Sequence, residues 1–322
     1  MRDRRVVRVL LVSLWLAACE GPQSALRPGG RTAEDIFGLS LVLFIGAGLI
    51  FAGVMALALY AVLARPERFP GARAWVVGGG VVFPVVALTA LQVHEFAVAR
   101  RLSAAGGPET LRVEVTGFMW WWEVRYPGGI RTANQIVIPA GRPVEFVVAT
   151  ADVIHSFWIP GLGGKIDMIP GHENRLTILA DTLGVYRGQC AEYCGAQHAL
   201  MAFDVAVEAP ERFDAWLAAQ GRPAAEPADA FLAAGRDAFL MLGCGACHAV
   251  RGTPAAGTIG PDLTHVGSRP TLAAGTLPNS VGTLAGWIAG AQHLKPENRM
   301  PSFNIVDGET LRALAGWLES LK

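Results

Sequence analysis

Two long apolar stretches near the N-terminus constrain this chain more than any other feature. Phe37–Leu63 contains no charged residue, and Trp75–Val93 is interrupted only by Gly78–Gly80 and Pro84. A helix of about 20 apolar residues crosses the roughly 30 Å hydrocarbon core of a bilayer, and membrane helices tolerate glycine and proline. The two stretches therefore predict a transmembrane helical hairpin at residues 37–99.

The charges around the hairpin predict its orientation. The connecting loop carries Arg65, Arg68 and Arg73, and the positive-inside rule places such a loop in the cytoplasm. Both ends of the hairpin then emerge on the outer side of the membrane. We therefore expect residues 20–36, and everything after about residue 100, to be extracytoplasmic.

Residues 1–19, MRDRRVVRVLLVSLWLAAC, are typical of an export signal. Arginines precede an apolar core that is too short to span a bilayer. The ending Leu16-Ala17-Ala18-Cys19 resembles a lipobox, which predicts lipid attachment at Cys19 after cleavage. An ordinary signal peptide with an incidental cysteine is the alternative.

Composition excludes one class of partner. Lys+Arg and Asp+Glu balance at 27 each, and the sequence has no basic run or recognition motif, so nothing predicts nucleic-acid binding. Hydrophobic residues make up 52% of the chain and charged residues 17%. That balance fits a folded chain with membrane segments.

Residues 108–210 place hydrophobic residues at every second position in several short runs. Leu111, Val113 and Val115 form the first run. Similar runs occur at 144–148, 176–178 and 203–207. Short alternating runs separated by turns that contain glycine and proline are typical of half-buried strands. The region is therefore predicted to be an all-β sandwich.

One loop of this region carries a soft set of metal ligands. It reads CAEYCGAQHALM from Cys190 to Met201, and a further imidazole lies upstream at His155. Thiolate and imidazole donors suit copper. The alternatives are a Cys190–Cys194 disulfide, a zinc site and mononuclear blue copper. A disulfide leaves the other donors unexplained, zinc rarely takes methionine, and mononuclear copper needs one cysteine.

This loop and the segment VIHSFWIP at 153–160 resemble subunit II of haem–copper cytochrome c oxidases, over residues 37–210. The resemblance implies a cupredoxin-like domain that holds a binuclear copper centre, CuA. Such a centre has two bridging thiolates, two terminal imidazoles and two weak axial donors. In that order, the implied ligands are Cys190 and Cys194, His155 and His198, and Met201 with the backbone carbonyl of Glu192.

Two further roles follow from the resemblance. The carboxylate of Glu192 is expected to bind Mg²⁺ at the interface with a partner subunit. Trp120, Trp121 and Trp122 are expected to lie in the aromatic patch through which electrons enter CuA. A packed or membrane-interface aromatic cluster is the alternative for each tryptophan.

The remaining sequence predicts a second redox domain. Residues 211–230 are expected to form a short helix and an Ala/Pro/Gly-rich linker, followed by a domain at 231–322. Cys244-Gly-Ala-Cys247-His248 has the spacing that attaches a haem covalently and gives its iron an axial histidine. A thioredoxin-type CxxC is the alternative, but it lacks the adjacent histidine.

Met300, in the segment NRMPSF, is the predicted second axial ligand of the haem iron, with His293 and His265 as competitors. The segment Gly260–Leu263 is expected to line the haem edge.

The last residues predict an amphipathic terminal helix that Asp307 caps, with apolar positions at Leu311, Leu314, Leu318 and Leu321. The region resembles an all-α class I cytochrome c, and its fusion to subunit II resembles the caa3-type arrangement.

The combined resemblance implies an electron path from a donor cytochrome c, through haem c and CuA, to haem a of oxidase subunit I. There the haem a3–CuB centre reduces oxygen to water and protons are pumped. This chain has seven histidines, of which only His94 lies near a membrane stretch, so it cannot build that centre itself. Subunits I and III, the donor cytochrome and membrane lipids are the expected partners.

The expected location is the bacterial cytoplasmic membrane, with both redox domains on the periplasmic side. Two functional alternatives stay open at this point. One is the electron-entry subunit of a CuA-containing nitric oxide reductase. The other is a copper–haem redox module without respiratory flux.

Overall fold

The structure of the protein is a computed structural model that describes residues 21–63, 71–103, 107 and 109–322. The predicted export signal with Cys19 lies outside the described residues. So do Arg65 and Arg68 of the loop that predicts the orientation.

Two long apolar helices form the N-terminal part. The first long helix is α1 (Arg31–Leu63). The second consists of α2 (Ala72–Val77), a π-helical turn (Gly78–Val82) and α3 (Phe83–Ser103) in succession. Among the described residues, Arg31–Leu63 and Arg73–Leu102 are long and apolar enough to cross a membrane. Their large side chains point outward, where hydrocarbon would surround them.

Both helices extend beyond the predicted apolar spans. Helix α1 begins six residues before Phe37 because its first turn rests on the β domain: Thr32 and Ala33 are buried, and the Thr32 hydroxyl accepts a hydrogen bond from the Leu179 amide at 2.9 Å. At the same level Arg101 of α3 pairs with Asp35 at 3.6 Å. Hydropathy marks the hydrocarbon segment of a helix and not its polar ends.

The middle region is a sandwich of two five-stranded sheets, as the alternating pattern predicts. One sheet has the order β3-β2-β1-β5-β8 and the other β4-β10-β9-β6-β7, with parallel pairs β1/β5 and β4/β10. The strands are β1 (Leu111–Phe118), β2 (Trp121–Tyr126), β3 (Ile130–Ala133), β4 (Gln135–Pro139), β5 (Val144–Thr150), β6 (His155–Trp158), β7 (Ile166–Met168), β8 (Asn174–Ile178), β9 (Gly184–Cys190) and β10 (Ala202–Glu208).

Alternation along the strands produces the core of the sandwich. Leu111, Val113 and Val115 are buried while their neighbours face outward, and Phe146 and Phe157 fill the centre with rings 5.1 Å apart. Two inner apolar faces that interdigitate in this way are what holds two sheets together.

The C-terminal region is helical and has its own core, as predicted. Its helices are α4 (Pro210–Gln220), α5 (Ala230–Met241), α6 (Val281–Leu294) and α7 (Gly308–Ser320), with a small hairpin of β11 (Thr271–Leu272) and β12 (Leu277–Pro278). Helices α5 and α7 cross closely at Gly235, where a Cβ atom would lie 2.1 Å from the Ala313 carbonyl oxygen. Asp307 caps α7 by accepting from two backbone amides, and Leu314 and Leu318 are buried.

The sandwich and the helical domain are in direct contact. The hairpin β11–β12 lies against β9 and β10, where the Ala202 amide donates to the Ala274 carbonyl at 3.0 Å. The loop between β1 and β2 lies against a cavity in the helical domain. The two sites described below therefore face each other across this contact.

Candidate redox centres

The thiol-rich loop connects two neighbouring strands. Strand β9 ends at Cys190, β10 begins at Ala202, and the Cys190 amide donates to the Met201 carbonyl at 2.9 Å, which closes the loop at its base. Phe157 of β6 pairs with Cys190, so the neighbouring His155 at the start of β6 lies beside the loop. The sheet thus joins a distant imidazole to the loop.

The predicted copper ligands lie within contact distance of one another. The sulfurs of Cys190 and Cys194 are 3.8 Å apart, well beyond the roughly 2.05 Å of a disulfide bond. Nδ1 of His155 lies 3.8 Å from the Cys190 sulfur, and Nδ1 of His198 lies 3.6 Å from the Cys194 sulfur. The Met201 sulfur lies 3.7 Å from the Cys194 sulfur. This set of two central sulfurs with a nitrogen on each side fits a pair of thiolate-bridged coppers.

Glu192 enters the site through its backbone. Its carbonyl oxygen lies 3.1 Å from the Cys190 sulfur, whereas its carboxylate belongs to an exposed residue on the loop surface. Cys190, Cys194 and Met201 are by contrast buried. The backbone oxygen therefore faces the thiols, and the carboxylate is free to meet a ligand outside the domain.

Asp152 orients one of the imidazoles. Its carboxylate accepts from Nε2 of His155 at 2.8 Å and from the Met119 amide at 2.8 Å. Because a carboxylate only accepts, Nε2 carries a proton, and Nδ1 is the nitrogen that faces Cys190. Burial lowers the pKa of His155, but the hydrogen bonds to Asp152 and Cys190 outweigh burial and raise it.

The two thiols share one negative charge. The hydrogen bond with Cys194 outweighs burial and, together with the hydrogen bond with His155, lowers the pKa of Cys190. The thiolate so formed raises the pKa of Cys194, because a second negative charge beside it is unfavourable. A cation bound between the sulfurs would remove that cost and leave both cysteines as thiolates.

The three tryptophans occupy three different environments. Trp122 is fully buried in the core between Phe157 and Phe203. Trp121 stacks on Phe118 with ring centroids 4.6 Å apart and lines the cavity of the helical domain. Trp122 is therefore a packed aromatic of the sandwich core, whereas Trp121 lies at the cavity.

Trp120 connects the two sites. It is buried, it lines the same cavity, and its indole N–H donates to the Cys194 carbonyl at 2.9 Å. Gly195 has a φ angle of 111°, in the left-handed region. An ideal Cβ atom at Gly195 would lie 3.1 Å from the Trp120 ring, so glycine lets the loop pass close to the indole. A single indole ring therefore separates the cavity from the thiol loop.

A cavity of about 360 Å³ lies between the helical domain and the β1–β2 loop. Its lining includes Cys244, Cys247, His248 and Met300. The volume falls within the roughly 300–1,000 Å³ of cofactor pockets. Two cysteines, an imidazole and a thioether around one largely apolar cavity fit a covalently attached haem.

His248 is held ready for iron ligation. Its Nδ1 donates to the Pro261 carbonyl at 2.8 Å, which leaves the lone pair on Nε2. Gly260 packs against the ring so closely that a Cβ there would lie 2.6 Å from Cε1 of His248. Burial lowers the pKa of His248, and the bond to Pro261 only partly opposes this, so the neutral imidazole is favoured.

Met300 lies in a loop that hydrogen bonds fix at both sides. Its amide donates to the Asn298 side chain at 2.8 Å, and its carbonyl accepts from the Gln292 amide group at 2.7 Å. The competing histidines lie elsewhere among the described residues: His265 bonds the backbone of Arg222 and Lys322, and His293 does not line the cavity.

Several residues that position the sites escape sequence reasoning. Asp152 and Gly117 each touch His155, and only Asp152 lies near it in the sequence. Lys295 reaches from the helical domain to the thiol loop. Burial lowers the pKa of Lys295 to about 7, while the electrostatic interaction with Cys194 opposes the shift. The contacts of Lys295 with the copper domain form only when the two domains dock, so no periodic pattern in the sequence predicts them.

A β-sandwich with a two-thiol loop, beside a helical domain with a CxxCH cavity and two apolar helices, defines a membrane-anchored electron-transfer protein. The family described as cytochrome c oxidase subunit II, periplasmic domain, matches residues 128–209, and the cytochrome c family matches residues 232–322.

Known proteins extend this match to the full length. The cytochrome c oxidase subunit 2 of Alkalihalophilus pseudofirmus is 33% identical over 99% of this chain and 97% of its own. The Bacillus subtilis protein of the same name is 27% identical over 99% and 98%. Among solved structures, the periplasmic domain of subunit II from Bradyrhizobium japonicum shares 32% identity, with a TM-score of 0.32, over 34% of this chain and 91% of its own.

The chain belongs to the cytochrome c oxidase subunit II family, with a cytochrome c domain fused at its C-terminus. The expected caa3-type arrangement is thereby confirmed. The chain is a membrane-anchored subunit through which electrons enter a terminal oxidase, and its place is beside subunit I. Its subunit II domain implies a CuA site and its cytochrome c domain a haem c. The nitric oxide reductase and isolated-module alternatives gain no support from these relatives.

Proposed function

We propose that electrons from a donor cytochrome c enter this chain at the His248 side and leave it through the thiol loop toward haem a of subunit I. The observation that carries the proposal is Trp120, which lines the cysteine-bearing cavity and donates to the carbonyl of Cys194. Haem c and CuA supply one-electron carriers when bound. The protein's part is to hold their ligands on the two sides of one indole.

The contacts support the proposed ligand roles. Cys190 and Cys194 would hold the copper pair between them, and each sulfur has one imidazole beside it, from His155 and His198 respectively. Met201 and the carbonyl oxygen of Glu192 would add weaker donors. A rigid buried loop of this kind changes little in geometry on a one-electron change, which favours fast transfer.

Different residues of the cavity would attach the haem and ligate its iron. Cys244 and Cys247 would attach the haem covalently, and His248 and Met300 would ligate its iron. Methionine ligation raises the reduction potential. The exposed carboxylate of Glu192 binds Mg²⁺ at the interface with subunit I.

The setting of the chain is also part of the proposal. Its two helices lie in the bacterial cytoplasmic membrane, and both redox domains face the periplasm. Subunit III and membrane lipids are further partners, and Cys19 carries a lipid. Proton pumping and oxygen reduction take place in subunit I.

Metal and haem analysis tests this assignment. The full chain, purified in detergent apart from subunit I, is expected to contain about two copper ions and about one covalent haem, given its two ligand sets. Its near-infrared spectrum should show the band of a mixed-valence copper pair. One copper per chain, or an oxidised Cys190–Cys194 pair that takes up no copper after reduction, would contradict the assignment.

A further inference from the structure

A buried lysine lies between the two redox domains. Lys295 follows helix α6 and is only 2% exposed. Its amino group donates to the carbonyls of Trp120 at 2.8 Å, Leu200 at 2.8 Å and Ala273 at 3.2 Å. A lysine ammonium has three donors, so these three carbonyls satisfy it fully.

The three acceptors come from both domains. Trp120 and Leu200 belong to the copper domain, and Leu200 stands directly before Met201 of the thiol loop; Ala273 belongs to the cytochrome domain. A buried amino group without partners is costly, and so are buried carbonyls without donors. In the docked arrangement, where water is excluded, the lysine and its acceptors therefore satisfy one another.

The hairpin β11–β12 makes a second set of contacts beside the lysine. The Ala202 amide donates to the Ala274 carbonyl at 3.0 Å, and the Arg187 guanidinium donates to the Gly275 carbonyl at 3.3 Å. The β10 and β9 residues in these bonds lie on either side of the thiol loop in sequence. The docked hairpin therefore supports the base of that loop.

The hairpin adopts an unfavourable backbone at this contact. Ala273, Ala274 and Gly275 have φ angles of 51°, 60° and 76°, in the left-handed region that alanine rarely adopts. Such a backbone persists where the surroundings hold it in place. The contacts of Lys295 with Ala273, and of Ala202 with Ala274, restrain it from across the interface, in addition to the hydrogen bond from the Thr276 hydroxyl to Ala273 within the hairpin.

We propose that Lys295 is a positioning residue that clamps the cytochrome domain onto the copper domain in one fixed arrangement. The proposal rests on the proposed function, since the arrangement affects electron flow only if the two centres exchange electrons. Lys295 bonds neutral carbonyls in a buried site, whereas salt screens exposed charge pairs. Docking and interdomain transfer are therefore expected to be independent of ionic strength.

Hydrogen exchange tests the clamp without reference to activity. In the purified oxidase, Lys295→Met should raise the exchange rate of the Ala202 amide at least tenfold, while the amides of core strand β5 keep their rates. Lys322→Met removes a lysine whose amino group pairs with Glu319 on the surface, and it is the matched control with unchanged exchange. Gly275→Val tests the contact from the hairpin, since a Cβ there would lie 3.2 Å from Ala202 and Arg187.

Photoreduction of the haem in the same variants provides the second readout. Lys295→Met and Gly275→Val should slow haem-to-copper transfer at least tenfold and make it dependent on solvent viscosity, because the domain must now find its docked position. Both cofactors should keep their spectra. A wild-type protein without any transfer would overturn the proposed function. Normal transfer in wild type, with Lys295→Met equal to Lys322→Met in exchange and rate, would overturn the clamp alone.

Discussion

The thiol loop and the CxxCH cavity bring their candidate ligands together in different ways. All but one of the proposed copper ligands come from one loop between two adjacent strands, and His155 joins them through the pairing of β6 with β9. The proposed haem ligands are spread from Cys244 to Met300, and part of the cavity wall comes from the other domain. The copper site is therefore complete within its own domain, whereas the haem site is completed only by docking.

The comparison also shows a shared device. In each site one nitrogen of a proposed ligand histidine donates to an oxygen, from Nε2 of His155 to Asp152 and from Nδ1 of His248 to Pro261, so that the other nitrogen is left to bind a metal. In each site a glycine also packs against the ring. The difference between the sites thus lies in how the domains assemble and not in how a single ligand is held.

Cys194→Ser should have the largest effect and should separate the two sites. The change removes a bridging sulfur, so copper content should fall to about one ion per chain or less, and oxygen consumption should fall by more than the roughly 10–100-fold typical of residues that only orient ligands. Haem content should stay at the wild-type value, because its cysteines lie in another domain. Copper and haem assays on one preparation check both points. A parallel loss of haem would show that the sites do not fold independently.

The two glycines that pack on ligand histidines should give intermediate effects. A Cβ at Gly260 would lie 2.6 Å from the His248 ring, and one at Gly117 would lie 2.9 Å from the His155 ring. Gly260→Ala should therefore alter the haem spectrum and leave copper unchanged. Gly117→Ala should lower copper affinity by about tenfold, as other changes beside a ligand do, and leave the haem unchanged.

Gly286→Ala is the matched control for these variants. Its Cβ would have nothing within 4 Å, and it lies inside helix α6, where alanine is favoured over glycine by about 1 kcal/mol. It should keep both spectra and raise the melting temperature. If it disturbed either cofactor as strongly as Gly260→Ala, the local steric explanation would fail.

Trp120→Phe should have the smallest effect on composition. A smaller aromatic ring replaces the indole, and the hydrogen bond to the Cys194 carbonyl is lost, which costs about 0.5–1.5 kcal/mol. Haem-to-copper transfer should slow while copper and haem contents stay at wild-type values. Trp122→Phe is the comparison: this core residue should lower stability without the same loss of rate. Equal rates in the two variants would remove Trp120 from the route.

The sequence predicts the parts of this molecule that local patterns encode. Period-two runs such as 111–115 predict strands, and the spacing of Cys190, Cys194 and His198 predicts one compact ligand set. The fold class is confirmed. The strand pairing that brings His155 to the loop is not local, and only the resemblance to a family predicts it.

The docking of the two domains could not be predicted from the sequence. Lys295 is one lysine after a helix, and nothing in its neighbourhood distinguishes it from a solvated side chain. Its three acceptors are backbone carbonyls, which every residue has. The role of Trp120, as against Trp122, likewise depends on which indole faces the other domain.

Time-resolved reduction of the purified wild-type oxidase tests the central claim most directly. A photoreductant that reduces haem c in less than one turnover should be followed by reduction of the copper pair, with a single rate constant that does not change with protein concentration. That result would place the two centres on the two sides of Trp120 in one docked chain. Copper reduction that precedes haem oxidation, or a rate proportional to protein concentration, would contradict it.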